Sequence, residues 1–232
     1  METNMAKHQV NSVLQVNSLR LRFPEVQPRY ERKFRLPINF AETMKSRLSS
    51  FGFIRVFRDR CVNSQYFDTN DLDFGRANID GERFRLKTRM RWYDGTNEQS
   101  LGKLEIKCKD GDLGYKYRFN LDSSENEKIA EVILEETGLL LQAKCITRYD
   151  RAYYENSLGI RATIDENLLA TNNNLISSTF SPLGYSVLEL KYSRQDDEVY
   201  RRLIQPELTK LIAIRLNKSS KYMESLHVLG MV

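Results

Sequence analysis

Polar and apolar residues alternate with a period of two over much of the chain between about residue 30 and residue 192, and turn residues bound the alternating runs. That period marks half-buried strands, whose successive side chains point to opposite faces. It predicts strands over Tyr30–Leu36, Phe53–Arg58, Cys61–Asp68, Glu82–Tyr93, Gly102–Lys109, Gly114–Leu121, Lys144–Tyr154, Gly159–Asp165 and Tyr185–Tyr192, with a turn before Cys61. Asp94-Gly95 and Asp110-Gly-Asp112 are hairpin-type breaks, so several of these strands are expected to be antiparallel neighbours. Helical patterns interrupt them at Phe40–Ser50, after the start signal Pro37-Ile-Asn39, and at Glu125–Thr137, which ends at Gly138. Gln195–Ile204 and Glu207–Leu216 read as two further helices separated by Pro206. Residues 1–28 read as an N-terminal arm closed by Pro24 and Pro28, and 29–232 as a single domain. The expected fold class is α+β, mainly antiparallel β.

The polar half of the alternation is charged, and mostly of one sign. In Arg83-Phe-Arg-Leu-Lys-Thr-Arg-Met-Arg91 every odd position is basic: Arg83, Arg85, Lys87, Arg89 and Arg91. A strand places all five on one face, with Phe84, Leu86 and Met90 on the other. Neighbours along that row are roughly 7 Å apart and repel by about 0.6 kcal/mol even in water. Truncating one of them is therefore expected to cost the fold little. The same alternation groups Glu31, Lys33 and Arg35; Glu105, Lys107 and Lys109; Lys116 and Arg118; Arg161, Thr163 and Asp165; and Glu189 with Lys191. Six strands with one charged and one apolar face fit a sheet curled so that the charges point inward. The expectation is a closed tunnel or barrel of about eight strands with flanking helices, enclosing a polyanion. The few carboxylates suggest a divalent cation shared with phosphate oxygens.

Composition narrows the classes. Among 232 residues, 36 Lys and Arg against 31 Asp and Glu give a net charge of +5, and 41% hydrophobic residues suffice for a sizeable core. No apolar run approaches the about 18–20 residues of a membrane span, and Met1–Val16 lacks the apolar stretch of a signal peptide, so a cytoplasmic protein is expected. Cys61, Cys108 and Cys145 are odd in number and widely spaced, which supports neither a disulfide framework nor a zinc site. His8 and His227 lie near the termini and form no catalytic constellation. No Walker-type phosphate loop is present.

Several stretches carry a resemblance in their order and spacing: Tyr30-Glu-Arg-Lys-Phe34, Ser64-Gln-Tyr-Phe-Asp68, Arg89-Met-Arg-Trp-Tyr93, Leu104-Glu-Ile-Lys107, Lys116-Tyr-Arg-Phe119, Arg161-Ala-Thr-Ile-Asp165, Leu188-Glu-Leu-Lys-Tyr192 and Lys218-Ser-Ser-Lys-Tyr222. Over about Tyr30–Tyr222 the chain resembles the vacuolar transporter chaperone (VTC) domain, the polyphosphate-polymerase branch of the triphosphate tunnel metalloenzymes. The resemblance implies a tunnel in which ATP is cleaved and its γ-phosphate joins a growing polyphosphate chain. It implies Lys33, Arg89, Arg91, Lys107, Lys116 and Arg161 as residues holding the triphosphate, Glu189 as a metal ligand, and Lys218, Ser220 and Lys221 as a C-terminal phosphate-binding group. Its larger eukaryotic members also carry an inositol-polyphosphate-sensing domain and membrane helices, neither of which is in this sequence.

Together these readings assign Lys33, Arg89, Arg91 and Lys221 to catalysis, and Arg83, Arg85, Lys87, Lys107, Lys116, Arg118, Arg161, Lys191, Lys218 and Ser220 to substrate binding. Glu189, with Glu31 and Glu105, is the expected holder of Mn²⁺ or Mg²⁺, the latter two mainly setting the local charge. Lys218 and Lys221 would equally suit a basic helix C-terminus, where the macrodipole favours cations. ATP and inorganic polyphosphate are the expected partners, and nucleic acid is not, because the cations lack an interleaved base-stacking aromatic series. Hydrolysis of a triphosphate in the same fold, and a non-catalytic polyphosphate-binding subunit, are the alternatives.

Overall fold

The computed structural model describes residues 29–94, 102–110, 113–121, 128–172, 179–211 and 220–232. The expected arm at 1–28 lies outside them. Nine strands form a mainly antiparallel sheet: β1 (Arg29–Pro37), β2 (Phe53–Asp68), β3 (Phe84–Tyr93), β4 (Lys103–Asp110), β5 (Leu113–Asn120), β6 (Gln142–Asn156), β7 (Arg161–Asn172), β8 (Ser181–Pro182) and β9 (Tyr185–Ser193). They pair in the order β1-β9-β7-β6-β2-β3-β4-β5, with the two-residue β8 on β7. The expected count of about eight strands holds, the ninth being only two residues long, whereas the expected closure is corrected. Closure needs a ladder between the first and last strands of that order, and among the described residues β1 and β5 do not pair, so the sheet is not strictly closed.

The described residues pack as two compact units. The first is built on Ser64–Ile146, the second on Pro28–Asn63, Thr147–Thr171 and Ser178–Val232. In the first, Leu86, Thr88, Met90 and Trp92 of β3 are buried beside Leu104, Ile106 and Cys108 of β4 and Tyr117 of β5. Helix α2 (Asp73–Ile79) adds Phe74 to this core and helix α3 (Ile129–Thr137) adds Ile133. Asp68 starts α2, its carboxylate accepting the backbone N–H groups of Phe74 and Gly75 at 3.0 Å. Gly138, at φ +69°, ends α3 in the left-handed conformation that glycine adopts without strain.

The second unit packs Ala41, Met44 and Leu48 of helix α1 (Ala41–Ser50) against Phe34, Leu36, Ala162, Ile164, Leu188 and Leu190. The spacing i, i+3, i+7 is one stripe of a helix, and the strand residues are the apolar half of the alternation. Tyr200, Ile204 and Leu208 complete this core. In both units, then, the apolar strand faces lie in the cores and the charged positions occupy the opposite faces.

Three local expectations are corrected. β2 runs unbroken through Asp59-Arg60, where a turn was expected; no glycine or proline lies there, and Asp59 pairs with Arg55 four residues back along the strand. Pro206 does not split two helices. A continuous run passes from a 3₁₀ turn (Arg194–Asp196) through an α turn (Asp197–Val199) and a π turn (Tyr200–Ile204) into helix α4 (Gln205–Leu211). Pro206, which has no N–H to bond back, lies just after the π turn, the irregularity at which the helix accommodates it. Finally, helix α5 (Lys221–Val228) begins at Lys221. The alternative of a basic helix C-terminus does not hold for Lys221, which stands at a helix N-terminus, against the macrodipole preference.

Candidate functional site

Each unit presents one charged cluster. In the first it is centred on Glu105, which strand register places between Arg89 of β3 and Arg118 of β5. Glu105 is buried, and four cations reach its carboxylate. Arg89 donates to Oε2 from Nε at 2.8 Å and from Nη2 at 2.6 Å, with Arg91 Nη1 3.7 Å away. Arg118 Nε donates to Oε1 at 3.3 Å, and Lys116 Nζ contacts the same oxygen. Tyr66 and Ser64, both on β2, hold the guanidinium groups from the other side: Arg89 Nη1 donates to the Tyr66 hydroxyl at 3.3 Å, and Arg91 Nε to Ser64 Oγ at 3.2 Å. Burial pulls the Glu105 carboxyl up, but Arg89, Arg91 and Lys116 outweigh it and hold it well below the usual carboxylate range. With both oxygens engaged, Glu105 stands as the counter-ion of the surrounding cations, in keeping with the charge-setting part expected of it beside Glu189.

The next row across the sheet is Lys87, Lys107 and Lys116, side by side in register. Arg85 lies one row further, opposite Lys109. Burial first, then repulsion from Arg89 and Arg91, pushes the Lys116 ammonium down to about 6 in spite of Glu105. Lys116 is thus the cation of this cluster most readily lost as pH rises, and an arriving polyanion favours its charged form. Triphosphate binding is expected to take up protons near neutral pH, and affinity to weaken as pH rises above about 6. Calorimetry in buffers of different ionisation enthalpy checks this, with Lys116→Arg expected to abolish the uptake. Arg83 does not join the cluster: it precedes β3, is 74% exposed, and donates to Asp110 at 2.8 Å.

In the second unit, Thr163, Glu189 and Lys33 are register partners across β7, β9 and β1, and Arg161, Lys191 and Glu31 form the adjacent row. Glu189 is buried; Lys191 Nζ lies 2.6 Å from its Oε1 and Lys33 Nζ 3.9 Å from its Oε2. Lys33 also pairs with Glu31 at 3.0 Å, so its ammonium lies between the Glu31 and Glu189 carboxylates. Burial pulls the Glu189 carboxyl up, but Lys191, Lys33 and Arg151 win and hold it well below its ordinary value. Arg161 is exposed.

The same unit holds a second carboxylate, which the sequence reading did not single out as a site. Asp165 is fully buried and accepts a fork from Arg151, 2.6 Å from Nε and 2.7 Å from Nη2, and a third bond from Lys221 Nζ at 2.6 Å. Burial pulls the Asp165 carboxyl up, yet Arg151 and Lys221 lower it to about 2. Arg151 and Lys221 also lie over the Tyr149 ring, at 5.2 and 4.7 Å from its centroid. Asp165 thereby supplies the negative charge that Lys221 needs at the start of α5, and Ser220, at the N-cap position, is buried. Lys218 lies outside the described residues. The overlooked Arg151 follows Thr147 and Tyr149 at two-residue steps on β6, so alternation alone would have put it on one face with them.

Clusters of cations gathered around buried carboxylates thus lie on the charged sides of an antiparallel sheet, and solved structures share this architecture. The fold is similar to a putative adenylyl cyclase from Hippeastrum described as having a dominant triphosphatase activity (TM-score 0.55, 15% identity, 89% of this chain and 97% of that one). It is also similar to a putative adenylate cyclase from Vibrio parahaemolyticus (0.54, 12%, 87% and 99%) and to a protein of Pyrococcus horikoshii OT3 (0.50, 16%, 85% and 98%). At these identities the likeness is one of fold. The VTC domain model matches residues 28–139 and 123–230, and the chain belongs to the VTC domain family. No curated protein matches the sequence itself. Among the described residues no helix is long and apolar enough to cross a membrane.

Proposed function

We propose that this protein is a phosphotransferase that moves the γ-phosphate of ATP onto a growing inorganic polyphosphate chain. The observation that carries this reading is the length and one-sidedness of the charged face in the first unit. Arg85, Lys87, Arg89 and Arg91 on β3, Lys107 and Lys109 on β4, and Lys116 and Arg118 on β5 share it with Glu105, whose charge they already exceed. Six residues separate Arg85 from Arg91, about 20 Å at strand rise. A linear polyanion longer than one triphosphate suits such a track, and neutralising its oxygens while holding donor and acceptor in line is most of what phosphoryl transfer asks of a protein.

The residues divide that work. Arg89 and Arg91, fixed by Glu105, Tyr66 and Ser64, present oriented guanidinium donors to phosphate oxygens. Lys87, Lys107 and Lys116 add point charges that follow a chain without demanding one geometry. Lys221 and Arg151, held on Asp165, form a second cationic pair. A divalent cation would be held by Glu189 and Glu31, two hard carboxylate donors on adjacent rows that share the Lys33 ammonium, with phosphate and water completing its shell. Such an ion, when bound, neutralises charge on the transferring phosphoryl group.

Triphosphate hydrolysis is the second reading, favoured by the activity described for the similar Hippeastrum protein. It needs an ordered water and, usually, a carboxylate to activate it, and Glu105 is already taken up by four cations. The test is incubation of the purified protein with ATP and Mn²⁺ or Mg²⁺, followed by a gel that resolves polyphosphate from orthophosphate. ADP with a polymer ladder is expected. ADP with orthophosphate alone, with and without a polyphosphate primer, would replace the polymerase with a triphosphatase.

A further inference from the structure

We infer that Thr163 is a ligand of the divalent cation at Glu189, its hydroxyl completing a donor set with the Glu189 and Glu31 carboxylates. The inference rests on the metal-dependent reading of that cluster and adds a residue to it. Three observations converge. Thr163 is the direct register partner of Glu189 across β7 and β9, so their β-carbons are about 4.5–5.5 Å apart. It lies on the charged face: its strand neighbours Ala162 and Ile164 are buried in the hydrophobic core, whereas Asp165, two residues on, meets Arg151 and Lys221 on that face. Its Oγ1 is buried and has no hydrogen-bond partner.

Thr147, Thr171, Ser186 and Ser225 also bury hydroxyls without a partner, and what sets Thr163 apart is that its hydroxyl stands beside Glu189 on the charged face. A buried hydroxyl without a partner costs about 1–3 kcal/mol, and most such groups in folded proteins are satisfied. At a half-buried strand position valine has the same shape and an equal or better strand preference, without that cost. The hydroxyl is a neutral, hard oxygen donor beside a carboxylate. The same pairing of hydroxyl and carboxylate holds Mg²⁺ in P-loop enzymes, although the folds are unrelated. A neutral ligand also suits this neighbourhood, because a third carboxylate would compete for Lys33 and Lys191, which Glu189 already engages.

The test is Mn²⁺ binding followed by electron paramagnetic resonance, with and without tripolyphosphate, on the wild type and on Thr163→Val, Thr163→Ser and Glu189→Gln. Thr163→Val is expected to weaken Mn²⁺ roughly tenfold or more, in line with the loss of one supporting group at a metal centre, and Thr163→Ser to stay within about threefold. The melting temperature of ligand-free Thr163→Val should equal or exceed that of the wild type, since the lost hydroxyl has no protein partner. Unchanged Mn²⁺ affinity in Thr163→Val, together with loss in Glu189→Gln, would overturn the role of Thr163 and leave the metal site standing. Unchanged affinity in both variants would overturn the metal reading and this inference with it.

Discussion

Asp165→Ala is expected to be the most destabilising single substitution on the charged faces, at about 3–5 kcal/mol. The carboxylate is fully buried and takes three hydrogen bonds from two cations. Removing it leaves Arg151 and Lys221 facing each other over the Tyr149 ring with no counter-charge between them. It also removes the anion at the start of α5, where the helix dipole disfavours a lysine. For a domain of this size the loss corresponds to a fall in melting temperature on the order of 10 °C. Asp165→Asn keeps one acceptor and part of the shape, and should fall between the two. Thermal and urea unfolding of the three proteins, free of ligand, measure the series. A shift of less than about 2 °C for the alanine variant would show that Asp165 holds no uncompensated charge in place.

Arg89→Ala is expected to lower kcat/KM for ATP by about 10²–10³-fold, the usual loss when one preorganised donor to a developing oxyanion is removed. Its stability effect differs from what the bare sequence suggests. A row of five like charges should tolerate, even welcome, the loss of one. The structure instead puts Glu105 from the neighbouring strand within reach of four cations, and Arg89 gives it two nitrogen contacts. Truncating Arg89 therefore costs a buried charge-assisted fork, partly offset by relief of repulsion on Lys116. A loss of about 1–2 kcal/mol is expected alongside the lost activity. Arg89→Lys should recover part of the stability and little of the activity, because a single ammonium cannot engage Glu105 through two nitrogens and keep a third donor on Tyr66. Turnover on ATP, with the melting temperature of each variant, separates the two effects. Activity within threefold of wild type in a folded Arg89→Ala protein would remove Arg89 from the site.

Much of the fold was legible in the chain because period-two alternation is local. A strand that puts Leu86, Thr88, Met90 and Trp92 on one side must put Arg85, Lys87, Arg89 and Arg91 on the other, whatever it pairs with. The eight longer strands, α1 and the glycine-terminated α3 follow from that kind of information. Where the signal was weak the reading failed: Asp59-Arg60 looked like a turn although nothing there breaks a ladder, Pro206 looked like a boundary, and α2 and β8 are too short to show a period.

Tertiary structure alone decided which charges meet. Glu105 lies 16 residues from Arg89 and 13 from Arg118, and its place between them is set by the register of β3, β4 and β5. Asp165 lies 56 residues from Lys221, which reaches it because α5 begins where it does. A strand's alternation records which face a side chain takes. It carries no record of the partner across the ladder, because a shift of the partner strand by two residues keeps every side chain on its face and changes every neighbour. The cationic character of this protein is therefore written along its sequence. The distribution of the few carboxylates on its charged strand faces, Glu105 and Asp165 as counter-ions and Glu189 beside Glu31 and Thr163, is set by packing and register.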